Sequence, residues 1–149
     1  MDRVRPRDPY QPAMILALLA ITANNNEEST MPYVDGFIVA VPKKNIAAYR
    51  KMSTACGKIW RELGALDYRE WVADDVKVGK LTSFPRAVKQ KPNETVVFAW
   101  ITYKSRAQRD KVNAKVMKDP RLAKMMTGQE SPFDSKRMIY GGFTSLVKV

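Results

Sequence analysis

This sequence contains no histidine. That excludes serine–histidine–aspartate and cysteine–histidine nucleophiles, imidazole-bound metals and histidine-ligated haem. Any catalysis must run on carboxylates, lysine, tyrosine, cysteine or the substrate itself. Cysteine is nearly as scarce: a lone Cys56 rules out an internal disulfide framework and fits a reducing compartment. The seven glycines do not gather into a phosphate-cradling loop, and no cluster of ligating side chains signals a metal or an organic cofactor. Long apolar runs are missing too. The stretch from Ala13 to Ala23 is about eleven residues, against the roughly 20 that cross a bilayer.

What is present in excess is positive charge. Lysine and arginine total 26 against 15 acids, a net +11. Residues 1–30 hold three arginines and four acids, which leaves residues 31–149 with 23 bases, 11 acids and a net +12. Such a charge favours solubility and loose attraction to anions without naming one. The first thirty residues differ from the rest. Arg3, Arg5 and Arg7 stand with Pro6, Pro9 and Pro12 ahead of the short apolar stretch; a basic start before such a core resembles a secretory signal, but Ile21 stands where a small residue is expected ahead of Ala23. Residues 1–30 therefore read as a loosely ordered or upstream extension, and Met31 opens a compact domain of residues 31–149, expected in the cytoplasm.

Hydrophobic periodicity orders that domain. Tyr33 to Val41 is apolar on both alternating faces, the pattern of a strand covered on both sides. Pro42 ends it, Asn45 is placed to cap a helix, and Ile46, Tyr49, Met52, Cys56, Ile59 and Leu63 recur at helical spacing up to a stop at Gly64. Cys56 lies on that stripe and reads as a buried structural thiol. Leu66 to Ala73 alternates as a second strand, and a long basic connection follows, with Val88 and its neighbours expected to pair at a sheet edge. Thr95 to Tyr103 is the most apolar strand. Ser105 and Gln108 have capping-box spacing for a second helix that reaches Pro120, with a helical turn around Leu122 to Met126 beyond. Met138 to Val147 closes the chain as a strand. Its Gly141 and Gly142 imply either a bulge that curves the sheet or a close approach of backbone or ligand.

The order β-α-β-β-α-β is that of an α+β ferredoxin-like sandwich. Two helices cover one face of a four-stranded sheet, yet the first and third strands are apolar on both faces. A second copy, sheet against sheet, is the expected cover, about 800 Å² per partner being a standard interface.

Six runs carry a resemblance: YVDGFIVAVP, DDVKVGKLTSFPRAVK, ETVVFAWITY, SRAQRD, VMKDPR and SPFDSKRMIYGGF. In this order and spacing, over about residues 31 to 147, the chain resembles the domain-of-unknown-function family 1428, the YbaA-like proteins. The resemblance implies a dimeric α+β barrel of ferredoxin-like subunits in a small cytoplasmic protein, and it implies no catalytic mechanism. Ser135 departs from the glycine that family members often carry.

Asp35 is the foremost site candidate, because a carboxylate in a strand apolar on both sides must be paired, hydrogen-bonded or functional. Arg137 or Lys136 is its expected partner. Asp35, Arg137 and Tyr140 form the candidate catalytic set, and Asp35, Trp71, Trp100, Arg109, Arg137 and Tyr140 the candidate ligand site. Asp74 and Asp75 read as solvated turn residues. The loop bases Lys77, Lys80, Arg86, Lys89 and Lys91 offer a surface for phosphate or RNA. Three functions are compatible with these residues. They are a homodimeric small-molecule-binding module, a cofactor-independent oxygenase or isomerase of an activated aromatic or enolic substrate, and an RNA-binding protein. No cofactor, metal or membrane is called for by any of them.

Overall fold

The computed structural model describes residues 31–128 and 130–149. The expected extension over residues 1–30, with the signal-like stretch inside it, lies outside the described residues.

Four strands form one sheet: β1 (Tyr33–Pro42), β2 (Asp67–Val72), β3 (Glu94–Tyr103) and β4 (Ile139–Thr144). Their spatial order is β2-β3-β1-β4 and every neighbouring pair is antiparallel. The helices are α1 (Ile46–Glu62), a single turn α2 (Phe84–Ala87), α3 (Arg106–Lys118) and α4 (Pro120–Met126). This is the ferredoxin-like arrangement expected from the element order.

The two apolar strands are central because only central strands are covered on both faces. On the inward face Phe37, Val39 and Val41 of β1 and Val97, Ala99 and Ile101 of β3 are buried in a core completed by the helices. From α1 that core receives Tyr49, Cys56, Ile59 and Trp60, which recur at the spacing read from the sequence. The inward stripe of α3 is Arg109, Val112, Asn113 and Val116, so two of its four buried positions are polar. Ser105 caps the helix as expected, its Oγ accepting from Gln108 N–H at 3.1 Å, but the reciprocal arm of the box is shifted by one residue: Gln108 Oε1 accepts from Lys104 N–H at 2.6 Å rather than from Ser105. Asn45 does not cap α1. A 3-10 turn over Lys43–Asn45 precedes the helix, and the Asn45 amide donates to the Pro132 carbonyl instead, at 3.0 Å.

Two further expectations change. Val88 is not an edge strand; it follows α2 and is buried with Ala40 and Val96 in a second small cluster on the opposite face of the sheet. That end of the helix-free face is thus covered by the chain itself. Strand β4 stops at Thr144, because its partner β1 begins at Tyr33 and leaves nothing beyond the Ser145 N–H to Pro32 carbonyl bond for later residues to pair with. Leu146 and Val147 lie exposed past it.

The glycine pair is not a bulge, since the β1–β4 register runs one for one from Tyr33↔Thr144 to Ile38↔Ile139. It is a close approach. A Cβ on Gly142 would lie 2.2 Å from the Tyr33 hydroxyl oxygen, so the phenol of Tyr33 lies across the space a side chain there would take. From that position Tyr33 accepts a hydrogen bond from Arg109 Nη2 at 3.2 Å, and its ring lies 4.7 Å from the guanidinium carbon. Gly142→Ala is therefore expected to evict the phenol and to cost on the order of 1–3 kcal/mol. In Tyr33→Ala the same change is expected to cost much less. Thermal denaturation of the single and double variants measures this; a Gly142→Ala protein that melts like the parent would refute the contact.

Candidate functional site

Asp35 is the third residue of β1, facing the helices, and its partner is Arg109 of α3 rather than Arg137 or Lys136. Both side chains are shut away from water, at 1 % and 0 % exposure. Arg109 Nη1 donates to Asp35 Oδ1 at 2.8 Å, Nε donates to Asp110 Oδ1 at 2.8 Å, and Nη2 reaches Tyr33. Beside this pair, Asn113 Oδ1 accepts from Trp60 Nε1 and from the Tyr103 hydroxyl, each at 3.3 Å. Asp35 Oδ2 is the buried side-chain oxygen among the described residues that has no hydrogen-bond partner. Burial pushes the Asp35 pKa up from 3.8 to about 6, against the pull of the Arg109 charge and then of Tyr103 and Asn113. The Tyr103 phenol is pushed up in turn, by burial and then by Asp35.

The other catalytic candidates do not join Asp35. Arg137 is spent elsewhere: Nη1 and Nη2 donate to Glu94 Oε1 and Oε2 at 2.8 and 2.6 Å, and Nε donates to Asp134 Oδ2 at 2.9 Å. Its Nη1 also reaches the Lys89 carbonyl at 2.9 Å, so the arginine fastens the turn before β4 to the loop before β3. Arg137 holds the carboxyl groups of Glu94 and Asp134 below their usual range. A groove of about 570 Å³, lined by Asn45, Lys91, Phe133 and Arg137 among others, opens beside it. Tyr140 is inward-facing on β4 with its ring 6.5 Å from that of Phe37, and it is partly exposed.

The expected aromatic pocket does not form as a unit. Trp71 and Trp100 pack together, ring centroids 5.5 Å apart, but on the helix-free face, away from Tyr140. Phe98 packs on Trp100 at 5.5 Å and Phe84 of α2 packs on Phe98 at 5.9 Å. Asp74 and Asp75 are exposed, as read from the sequence. Of the loop bases, Arg86 turns back to its own loop.

One cluster escaped sequence reasoning. Glu70 of β2 accepts hydrogen bonds from the hydroxyls of Tyr49, Ser53 and Tyr68, the last at 3.1 Å. Burial and the Glu70 charge hold both phenols well above their usual pKa and push Cys56 up to about 11, which keeps that buried thiol protonated. The signal was available, because alternation along β2 puts Tyr68 and Glu70 on the side facing the α1 stripe. Among the described residues no group of three or more potential ligands gathers to hold a metal ion, and no helix is long and apolar enough to cross a membrane.

The raised pKa of Asp35 has a signed consequence. The folded state binds its proton more tightly than the unfolded chain does, so this group's contribution to stability falls as pH rises from about 4 to about 6 and is level above that. Asp35→Asn removes this slope, and it also leaves the buried Arg109 with Asp110 as its remaining carboxylate, costing up to about 3–5 kcal/mol. The stability advantage of the parent over Asp35→Asn, from denaturant titrations at several pH values, is expected to shrink across that window. An advantage that grows with pH there would contradict the burial argument.

The family described as "Protein of unknown function (DUF1428)" matches residues 32–135. "Uncharacterized protein YbaA" of Escherichia coli strain K12 is 50% identical over 117 residues, covering 78% of this chain and 98% of that protein, and its counterpart in Shigella flexneri matches equally. A solved structure titled as a dimeric ferredoxin-like protein from an uncultured marine organism aligns with a TM-score of 0.45 at 15% identity, covering 79% of this chain and 99% of that one. The chain, half identical to YbaA over nearly the whole of that protein, belongs to the DUF1428 family of proteins of unknown function.

Proposed function

We propose that this protein is a homodimeric small-molecule-binding module. Two copies meet through their helix-free sheet faces, and each holds a small organic molecule between its sheet and its helices, at Asp35. The observation that carries the ligand site is the Asp35 carboxylate itself: one oxygen is paired with Arg109, and the other, equally buried, makes no hydrogen bond, since the nearby Tyr103 hydroxyl donates to Asn113 instead. A ligand presenting an N–H or O–H to Oδ2 supplies what the fold leaves out. Tyr33 is the door to that site. Its phenol lies between Arg109 and Gly142, the exposed residue of β4 that pairs with Asp35, so a ligand entering at that sheet edge must displace it.

Dimer formation is supported by the open part of the other face. Trp71, Phe98, Ile139 and Phe143 are exposed on it, between 41 and 61 % of their full area, with Trp100 among them. A contiguous aromatic surface of that kind marks an interaction site.

A second reading has its own observation. An aspartate with a pKa of about 6 suits general-base chemistry near neutral pH, so a cofactor-independent oxygenase or isomerase would use Asp35 as base, with Arg109, not Arg137, as its charged neighbour.

Native mass spectrometry of freshly purified protein is expected to show twice the 16.9 kDa chain mass plus a bound small molecule, and loss of the added mass in Asp35→Asn. A bare dimer from several expression hosts would end the ligand reading. Phe98→Glu is expected to give a folded monomer by light scattering; a dimer of undiminished strength would end the proposed face-to-face pairing.

A further inference from the structure

Between β2 and α2 the chain runs from Asp74 to Ser83 without regular structure, and it holds apolar side chains in water. Val78 is 56 % and Leu81 89 % exposed. A loose loop would hide them. This one is fastened: Arg86 Nε donates to the carbonyls of Val78 and Gly79, both at 3.1 Å, and its Nη2 donates to Gly79 at 2.9 Å. Gly79 turns with φ +63, and a Cβ there would lie 2.8 Å from the Thr82 carbonyl oxygen, so the bend is built for glycine. Ser83 Oγ accepts from Arg86 N–H at 3.0 Å and anchors the far end. The apolar tip is therefore preorganised, which is how a binding segment avoids ordering costs on association.

We propose that this arm docks on a second copy of the chain, beside the sheet-to-sheet contact, so that each subunit is gripped by its partner's Val78 and Leu81. The inference rests on the dimer proposed above and identifies what completes it. The part of the sheet where all four strands pair is some six residues deep at about 4.8 Å spacing, roughly 20 by 20 Å or about 400 Å² in plan, and the remaining ends of β1 and β3 are covered by Val88 after α2. A standard interface buries about 800 Å² of accessible surface per partner, and an arm beside the flat face adds to what that face can bury. The arm is continuous with that face through the Phe84–Phe98 contact.

Charge points to the same occupant. The arm carries Asp74, Asp75, Lys77 and Lys80, net zero, and the charged residues on the open sheet face, Asp67 and Arg69, pair with each other at 2.9 Å. The +12 of residues 31–149 therefore lies elsewhere. Two basic copies can bring these neutral surfaces together without like-charge repulsion, whereas an anionic partner finds no excess charge to hold there.

Sedimentation equilibrium on the full chain tests this, comparing the parent with Leu81→Asp, Val78→Asp/Leu81→Asp and a control, Ala114→Asp, on the exposed side of α3. Circular dichroism melts check folding. The double variant is expected to weaken the dimer at least 10-fold with an unchanged melt in the monomer range, Leu81→Asp somewhat less, and the control less than 2-fold. A parent that dimerises while both arm variants match the control overturns the arm alone. A monomeric parent overturns the dimer and the arm together.

Discussion

The ion pair between Asp35 and Arg109 is the constraint around which this fold is arranged. A carboxylate on the central strand and a guanidinium on the inward stripe of α3 are both fully buried, and neither can be left without the other. Their geometry fixes the rotation of α3 about its axis, since Arg109 must face the sheet for Nη1 to reach Oδ1. Arg109 also draws Tyr33 across β4, and Tyr33 in turn requires that residue 142 have no side chain. One pair thus ties together β1, α3 and β4, the elements farthest apart in sequence. Arg137 with Glu94 and Asp134, and Glu70 with its three hydroxyls, play the same tying role at two other margins of the sheet.

The sheet divides the molecule into two unlike halves. Under the helices lies a packed core with one incompletely satisfied polar cluster, and over the other face lies a ladder of aromatic rings partly roofed by α2 and Val88. The first half buries a carboxylate oxygen that makes no hydrogen bond. The second is a broad apolar surface whose Asp67 and Arg69 charges cancel. The two properties are separable, and each belongs to a different side of the same strands β1 and β3.

The fold was legible in the sequence wherever period and punctuation agreed. The doubly apolar β1 and β3, the α1 stripe, the Ser105 cap and the Pro120 break all read directly, because each is a local property of its own segment. Partners across space were not legible. Asp35 plainly needed a partner, but choosing Arg109 over Arg137 requires the phase of α3. That phase was in fact recoverable, since position 109 falls on the stripe of Val112 and Val116. Trp71 and Trp100 read as pocket residues beside Tyr140 because aromatic strand residues look alike from either face. Val88 misled for the reverse reason: an apolar residue after a helical turn folds back on the sheet as readily as it joins it.

The placing of the three tryptophans has an optical consequence. Trp60 is enclosed in the core and hydrogen-bonded to Asn113, while Trp71 and Trp100 form a close pair on the open aromatic face. Indole emission moves to the blue when water is withdrawn from the ring. The chain therefore carries two built-in fluorophore sets, one answering to loss of the interior and the other to whatever settles on its outer aromatic surface, so both events can be followed in unlabelled protein.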